Sequence, residues 1–216
     1  VYVLSLLIYS RLRNPLFHPV FITIASVIII LLVFDIPYSD YMRGGEIISF
    51  FLGPSVVALA VPLYKERERI KNNLGVLSIV VPFGSLVGII ASVVPVLFFN
   101  PLPSIAASLA PKSVTTPIAI EVSAVSGGIP NLTAVVVVFT GLFGALAGPV
   151  VLKLLGIVSE AAVGFGLGFA SHGIGTARAV EEGESAGAFA GLAICLNGIC
   201  TAIVMPLIMQ VLYIVL

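Results

Sequence analysis

The sequence predicts an all-α, polytopic transmembrane bundle whose helices are interrupted, and three observations carry that expectation. The first is composition: 59% of the 216 residues are hydrophobic and only 9% are charged, where a soluble domain carries about 25%. Mean hydropathy is +1.21, and so few charges could not cover the surface of a soluble fold. The second is patterning. The apolar runs approach the roughly 20 residues that a helix needs to cross the hydrocarbon core, and they lack the short alternating segments of an outer-membrane barrel. The third is that several runs are broken by Gly, Pro, Ser and Thr.

In order, the apolar segments are Val1–Tyr9, Pro19–Tyr38, Gly45–Tyr64, Leu74–Phe98, Leu102–Gly127, Leu132–Leu155, Ala161–Val180 and Ala186–Leu216. Val1–Tyr9 reads as the remnant of a membrane helix cut at its start, because it lacks the charged n-region of a secretion signal. Basic loops orient the rest. Arg11 and Arg13 follow the first segment, and Lys65, Arg67, Arg69 and Lys71 follow the third, so both loops are expected in the cytoplasm. Six of the twenty charges lie in Lys65–Lys71 alone, a stretch read as a solvated loop. Asp35 and Asp40 fall on the far side, with Arg43 as a mild exception. Net charge is zero, so no nucleic-acid partner is implied. Cys195 and Cys200 lack metal-ligand spacing and read as small buried residues.

Three segments are not clean helices. Gly45–Tyr64 contains Gly53-Pro54, Leu102–Gly127 contains Ala110–Pro117, and Ala161–Val180 contains Ser171–Thr176. Proline removes a helix hydrogen bond and glycine loosens the turn. In a bilayer the freed backbone groups need partners, so such breaks persist only where they are packed in protein or line a watery cavity. These three segments (45–64, 102–127 and 161–180) are the candidates for a mobile part of a single membrane domain spanning 1–216.

Internal symmetry offers two offsets. Adding 117 maps each of the segments Pro19–Tyr38, Gly45–Tyr64 and Leu74–Phe98 onto a later segment, which suggests repeats 1–99 and 100–216. The loop after the break is basic in the first copy and acidic in the second (Glu181, Glu182, Glu184), as in an inverted repeat of the kind secondary transporters use. Adding 60 instead pairs Pro111-Lys112 with Ser171-His172 and Glu121 with Glu181.

The chemistry is expected at the two breaks richest in polar side chains. A half-helix N-terminus attracts anions through its dipole and free N–H groups. At the first break Ser113, Thr115 and Thr116 add hydroxyls and Lys112 adds a cation, a set that could hold a small carboxylate. The plainer reading is that the hydroxyls satisfy a kink and Lys112 snorkels to the interface. Glu121 is read as a proton carrier, as the ion partner of Lys112, or as a residue at the membrane edge. At the second break Ser171, Gly173 and Gly175 admit close approach of a ligand, Thr176 can donate, and Arg178 offers a forked guanidinium for a carboxylate. His172 titrates near neutral pH and could couple proton movement to transport. The alternative is helix packing, with Arg178 among headgroups beside Glu181. Pro54 and Ser55 are expected to gate or to shape structure, and Asn197 to bond between helices or to gate. No metal, cofactor or enzyme constellation is present in the sequence.

Three stretches carry a resemblance: Leu52–Lys65 (LGPSVVALAVPLYK), Pro111–Ala119 (PKSVTTPIA) and Ala170–Arg178 (ASHGIGTAR). In type and order they resemble the LrgB family, also called CidB/LrgB, across essentially the whole chain. Bacterial members are described as antiholin-like regulators of murein hydrolase export that work beside an LrgA-type membrane partner. A plant plastidial relative moves glycolate and glycerate, and some bacterial pairs are linked to pyruvate uptake. The resemblance therefore implies a multi-pass protein of the inner (plasma) membrane and one of two roles. One is a carrier of small 2-hydroxy or 2-keto monocarboxylates, and the other is a lysis regulator. By similarity to elevator-type transporters, a scaffold, a mobile domain and a homodimer are also expected.

Overall fold

The computed structural model describes residues 1–12, 19–58, 60–65, 67–99 and 102–215, and every regular element among them is a helix. Arg13, Glu66 and the side chain of Ser55 lie outside the described residues. The chain divides into two compact units, Val1–Pro54 and Ser55–Leu216.

The first unit holds α1 (Tyr2–Leu12), α2 (Pro19–Val33) and α3 (Tyr38–Phe50). A part-buried hydroxyl pair, Ser5 Oγ and Thr23 Oγ1 at 2.9 Å, ties α1 to α2. Sequence alone extends the second segment to Tyr38, but α2 stops at Val33. There the Ile36 N–H donates back to the Leu31 carbonyl at 2.9 Å across Asp35, whose φ is 51°. This is a Schellman ending with Asp in place of the usual glycine. Tyr38 instead opens α3. The Gly45–Tyr64 segment is divided near the expected place: α3 ends at Phe50 and α4 (Leu52–Ala58) begins beyond Phe51. Pro54 has no N–H for the Phe50 carbonyl, so one helix cannot run through, whereas proline is tolerated in the first turn of the next.

The second unit contains α5 (Ala60–Lys65), α6 (Arg67–Asn72), α7 (Leu74–Leu97), α8 (Pro103–Leu109), α9 (Thr116–Val125), α10 (Pro130–Leu154), α11 (Glu160–Glu182) and α12 (Glu184–Val215). The basic stretch expected as a loop is largely helical, with Lys71 and Glu68 paired at 3.5 Å on the exposed α6. By length and composition, α7, α10 and the Glu184–Leu212 part of α12 can each cross a membrane. Adding 117 to the bounds of α2 and α7 gives 136–150 and 191–214, inside α10 and α12.

Glycine sets two of the turns. Gly127 (φ 76°) and Gly156 (φ 71°) end α9 and α10 in Schellman motifs, with Gly128 N–H to Ser123 O at 2.8 Å and Ile157 N–H to Leu152 O at 2.9 Å. Small residues set the closest helix contact. Gly164 and Gly168 of α11 lie against the backbone of Ala186 and Ala190 in α12, where any Cβ would overlap the neighbour. Such packing replaces the hydrophobic drive that lipid removes. A core of Ile89 and Val93 (α7), Ala106 and Ala107 (α8), Val122 (α9), Met205 and Met209 (α12) closes the other side. These two contacts lie on the helices that carry or flank the interruptions at 110–115 and 171–172.

Candidate functional site

The first interruption runs from Ala110 to Thr115 between α8 and α9. Pro111 donates no N–H, and the chain makes two short turns, Lys112 N–H to Leu109 O and Val114 N–H to Pro111 O, each 3.2 Å. Thr115 is then extended (φ −62°, ψ 144°), and Thr116-Pro117 starts α9. The Thr115 hydroxyl makes no cap bond, and its carbonyl receives Ala119 N–H at 2.9 Å. Val114 anchors the break by packing with Ala119 and Val137. A hydroxyl set missed by sequence reasoning braces it from below. Ser108 Oγ accepts the Ile129 N–H at 2.7 Å, while Thr133 Oγ1 lies 2.7 Å from Ser123 Oγ and 3.0 Å from the Ser108 carbonyl.

The second interruption is inside α11. Ser171 (φ −129°, ψ 15°) and His172 (φ 43°, ψ −132°) leave the helical region, which divides α11 into two half-helices. A positive φ on a bulky residue costs of order 1–3 kcal/mol unless its surroundings enforce it. Here they do: the buried imidazole bonds the Val137 carbonyl of α10 through Nε2 at 2.9 Å, so Nε2 carries the hydrogen. The α10 surface is hollowed to receive the bend. A Cβ on Gly141 would strike His172, and one on Gly144 would strike Ser171.

Asn197 of α12 joins the two breaks. Its Nδ2 donates to the Phe169 carbonyl at 2.9 Å, just before the second break, and to the Ser113 carbonyl at 3.2 Å, in the first. Its Oδ1 accepts Ser85 Oγ of α7 at 2.8 Å and Thr201 Oγ1 of α12 at 3.1 Å. The amide is 1% exposed and all its hydrogen-bonding capacity is used. In this way the carbonyls freed by broken helices find their partners, as an apolar surrounding demands.

Two cavities flank this junction. A cleft of about 420 Å³ is lined by Lys112, Ser113, Thr140, Ser171 and the rings of Phe139 and Phe143. On the other side a smaller chamber of about 160 Å³ is lined by Ser85, Gly88, Ser113, Phe169, Asn197 and Thr201. Ser113 and Ala170 border both. Lys112, half-buried, donates from Nζ to Ser92 Oγ of α7 at 2.7 Å, and Ser92 passes its own hydrogen to the Gly88 carbonyl at 2.6 Å. Among the described residues that line the cleft, Lys112 is the one ionisable side chain. A cation held by a neutral hydroxyl beside open volume is suited to an anion small enough for that volume.

The expected site residues therefore separate into groups. Lys112, Ser113 and Ser171 come together at the cleft. Gly175 packs against the Leu167 carbonyl and Ser171, whereas Gly173 faces open space. Thr115 and Thr116 shape the start of α9 without lining either cavity, and Thr176 Oγ1 is buried with no hydrogen-bond partner. Arg178 does not reach the cleft: its guanidinium is taken by Glu181 at 2.9 Å and Glu182 at 2.5 Å, on its own half-helix. Glu121 is exposed on α9 and makes no salt bridge with Lys112. Pro54 is exposed at the start of α4. Ser92, Ser85 and Thr140 were not singled out from the sequence, because a serine or threonine in an apolar helix reads first as bonding its own i−4 carbonyl. Ser92 and Thr140 do make that bond as well.

Comparison with known proteins supplies the remaining information. The family model described as the LrgB-like family matches residues 1–211. An uncharacterised protein of Haemophilus influenzae is 36% identical over 97% of this chain and 91% of its own length. The holin-like protein CidB of Staphylococcus aureus is 33% identical over 94% of this chain and 89% of its own. An uncharacterised protein of Bacillus subtilis is 35% identical over 99% of this chain and 93% of its own. No solved structure matches.

Proposed function

This chain belongs to the LrgB-like family, and on that premise we propose that it is a secondary carrier of small 2-hydroxy or 2-keto monocarboxylates such as glycolate, glycerate or pyruvate. The observation that carries the reading is the meeting of two interrupted helices at a cleft where Lys112, the one cation among the described lining residues, donates to the Ser92 hydroxyl. Secondary carriers place their sites at such discontinuous helices, and a half-buried ammonium beside open volume is favoured by an anion that joins it. In this reading the carboxylate accepts a hydrogen bond from Lys112 Nζ, whose three N–H groups exceed the one given to Ser92. The Ser113, Thr140 and Ser171 hydroxyls then offer hydrogen bonds to the 2-hydroxyl or 2-keto oxygen. The half-helix that follows His172 lends its N-terminal dipole. Coupling to protons enters through His172, the titratable side chain at the second break, and is read by whether a pH gradient drives uptake. A second copy of the chain and an LrgA-type membrane protein are the partners that the family resemblance implies.

The test is uptake of labelled glycolate, glycerate and pyruvate into liposomes holding the purified protein. The reading expects saturable flux for at least one acid and competition among them; no saturable flux for any of the three contradicts it. A second reading is supported by the holin-like name of the staphylococcal relatives. On that reading the chain governs lysis as an antiholin-like regulator or pore component. It expects dye leakage without saturation, and activity unaltered when Lys112 or Ser171 is replaced.

A further inference from the structure

The cleft and the smaller chamber adjoin each other. Ser113 and Ala170 border both cavities. One side chain, Asn197, bridges the two breaks, with its two N–H groups reaching the Ser113 and Phe169 carbonyls. Its carbonyl is in turn held by hydroxyls from α7 and α12. We infer that Asn197 is the positioning residue of this protein: it sets the spacing of the two breaks, and through them the shape of the cleft, without touching the substrate.

The chemistry of an amide is what the position uses. An aspartate of the same shape would lose both donors and set a negative charge against two carbonyl oxygens, so the breaks would part. Protonating that aspartate restores one donor and removes the charge. Burial disfavours the charged form of a carboxyl, so the comparison is made between about pH 7.5 and about pH 5. The charged and titratable groups on the elements around it are otherwise engaged. Lys112 bonds Ser92, His172 bonds Val137, Arg178 pairs with Glu181 and Glu182, and Glu121 of α9 is exposed; Cys195 and Cys200 lie on α12 itself.

The inference rests on the cleft proposed above, so its test uses two readouts, one of which needs no transport. In a Cys195→Ala/Cys200→Ala background, Ser113→Cys reports how open the junction is through its rate of maleimide labelling. With Asn197→Asp added, the labelling rate relative to the Asn197 protein at the same pH should rise at least about fivefold near pH 7.5 and fall back toward one near pH 5. In liposomes, Asn197→Asp should raise the uptake KM at least about tenfold at the higher pH and recover at the lower, beyond any pH response of the parent protein. Should Asn197→Asp fail to fold, Ser85→Ala/Thr201→Val removes the two hydroxyls that hold the amide, and should loosen the junction at both pH values by a smaller factor. For Asn197→Asp, a labelling ratio that stays at one at both pH values overturns the inference, as does one raised equally at both; for the hydroxyl-deleted variant, a ratio of one at both does. Loss of uptake in the parent protein with the labelling switch intact instead contradicts the carrier reading alone.

Discussion

Replacing Lys112 by methionine removes the cleft's cation while keeping a side chain of similar length. The half-buried stem still fills its place, and Ser92 keeps its bond to the Gly88 carbonyl, so no buried donor is orphaned. The loss is then that of the ammonium's bond to the substrate carboxylate. A hydrogen bond to a charged group contributes about 1.5–3 kcal/mol. An unscreened pair 4 Å apart at an effective dielectric of about 20 would give about 4 kcal/mol before desolvation is subtracted, so the lower range is the better guide. At about 1.4 kcal/mol per factor of ten, the KM for uptake should rise roughly 10- to 100-fold. Lys112→Arg keeps the charge but not the shape, and should recover part of that loss. Initial rates of labelled glycolate entry over a range of concentrations, with thermal unfolding measured alongside, separate binding from folding. A Lys112→Met protein with normal unfolding and a KM within about twofold of the parent would refute the assignment of Lys112 as the carboxylate anchor.

Other variants read the geometry more locally. Arg178→Gln should leave the uptake KM unchanged and cost less than about 1 kcal/mol, because its partners Glu181 and Glu182 are partly exposed; a tenfold KM increase would return Arg178 to the site. Gly144→Ala should destabilise by about 1–3 kcal/mol, since its Cβ would overlap Ser171. Gly173→Ala, with nothing within 4 Å, should be neutral or stabilise the second half-helix by up to about 1 kcal/mol. Unfolding in detergent compares the pair, and equal effects would contradict the hollowed α10 surface. His172→Phe keeps a ring under α10 and loses the bond to Val137, whose carbonyl still has its helical N–H. A loss of about 1 kcal/mol is expected, with uptake at saturating substrate retained but no longer driven by a pH gradient; a gradient that drives uptake as in the parent would contradict coupling through His172.

How much of this was legible in the sequence varies by physical cause. Membrane residence follows from composition, and α7 and α10 follow from apolar length, within two residues at each end. Both polar breaks are visible too: Pro111 and Pro117 cannot donate, and Ser171–Gly175 is poor in helix-forming residues. The Schellman ending at Asp35 is not visible, because an apolar run gives no sign of a positive φ on a residue other than glycine. The cleft is only half legible. Lys112, Ser113 and Ser171 stand out as polar residues among apolar ones, but their neighbours Ser92 and Thr140 come from other helices. Arg178 shows the limit most clearly. An arginine six residues after a break suggests a ligand, yet acids at i+3 and i+4 on the same half-helix already satisfy it. Asn197 shows the reverse: a lone amide in an apolar run implies a partner on another helix, and only the fold reveals that it serves both breaks at once.

The central claim is that a small carboxylate binds between the two breaks, and protection of the cleft from chemical labelling tests it most directly. Thr140→Cys, in a background lacking Cys195 and Cys200, places a thiol on the cleft wall. Glycolate, glycerate or pyruvate should slow its reaction with a maleimide, half-maximally at the concentration that half-saturates uptake, and Lys112→Met should abolish the protection. Labelling that proceeds at the same rate with and without saturating acid would contradict the account.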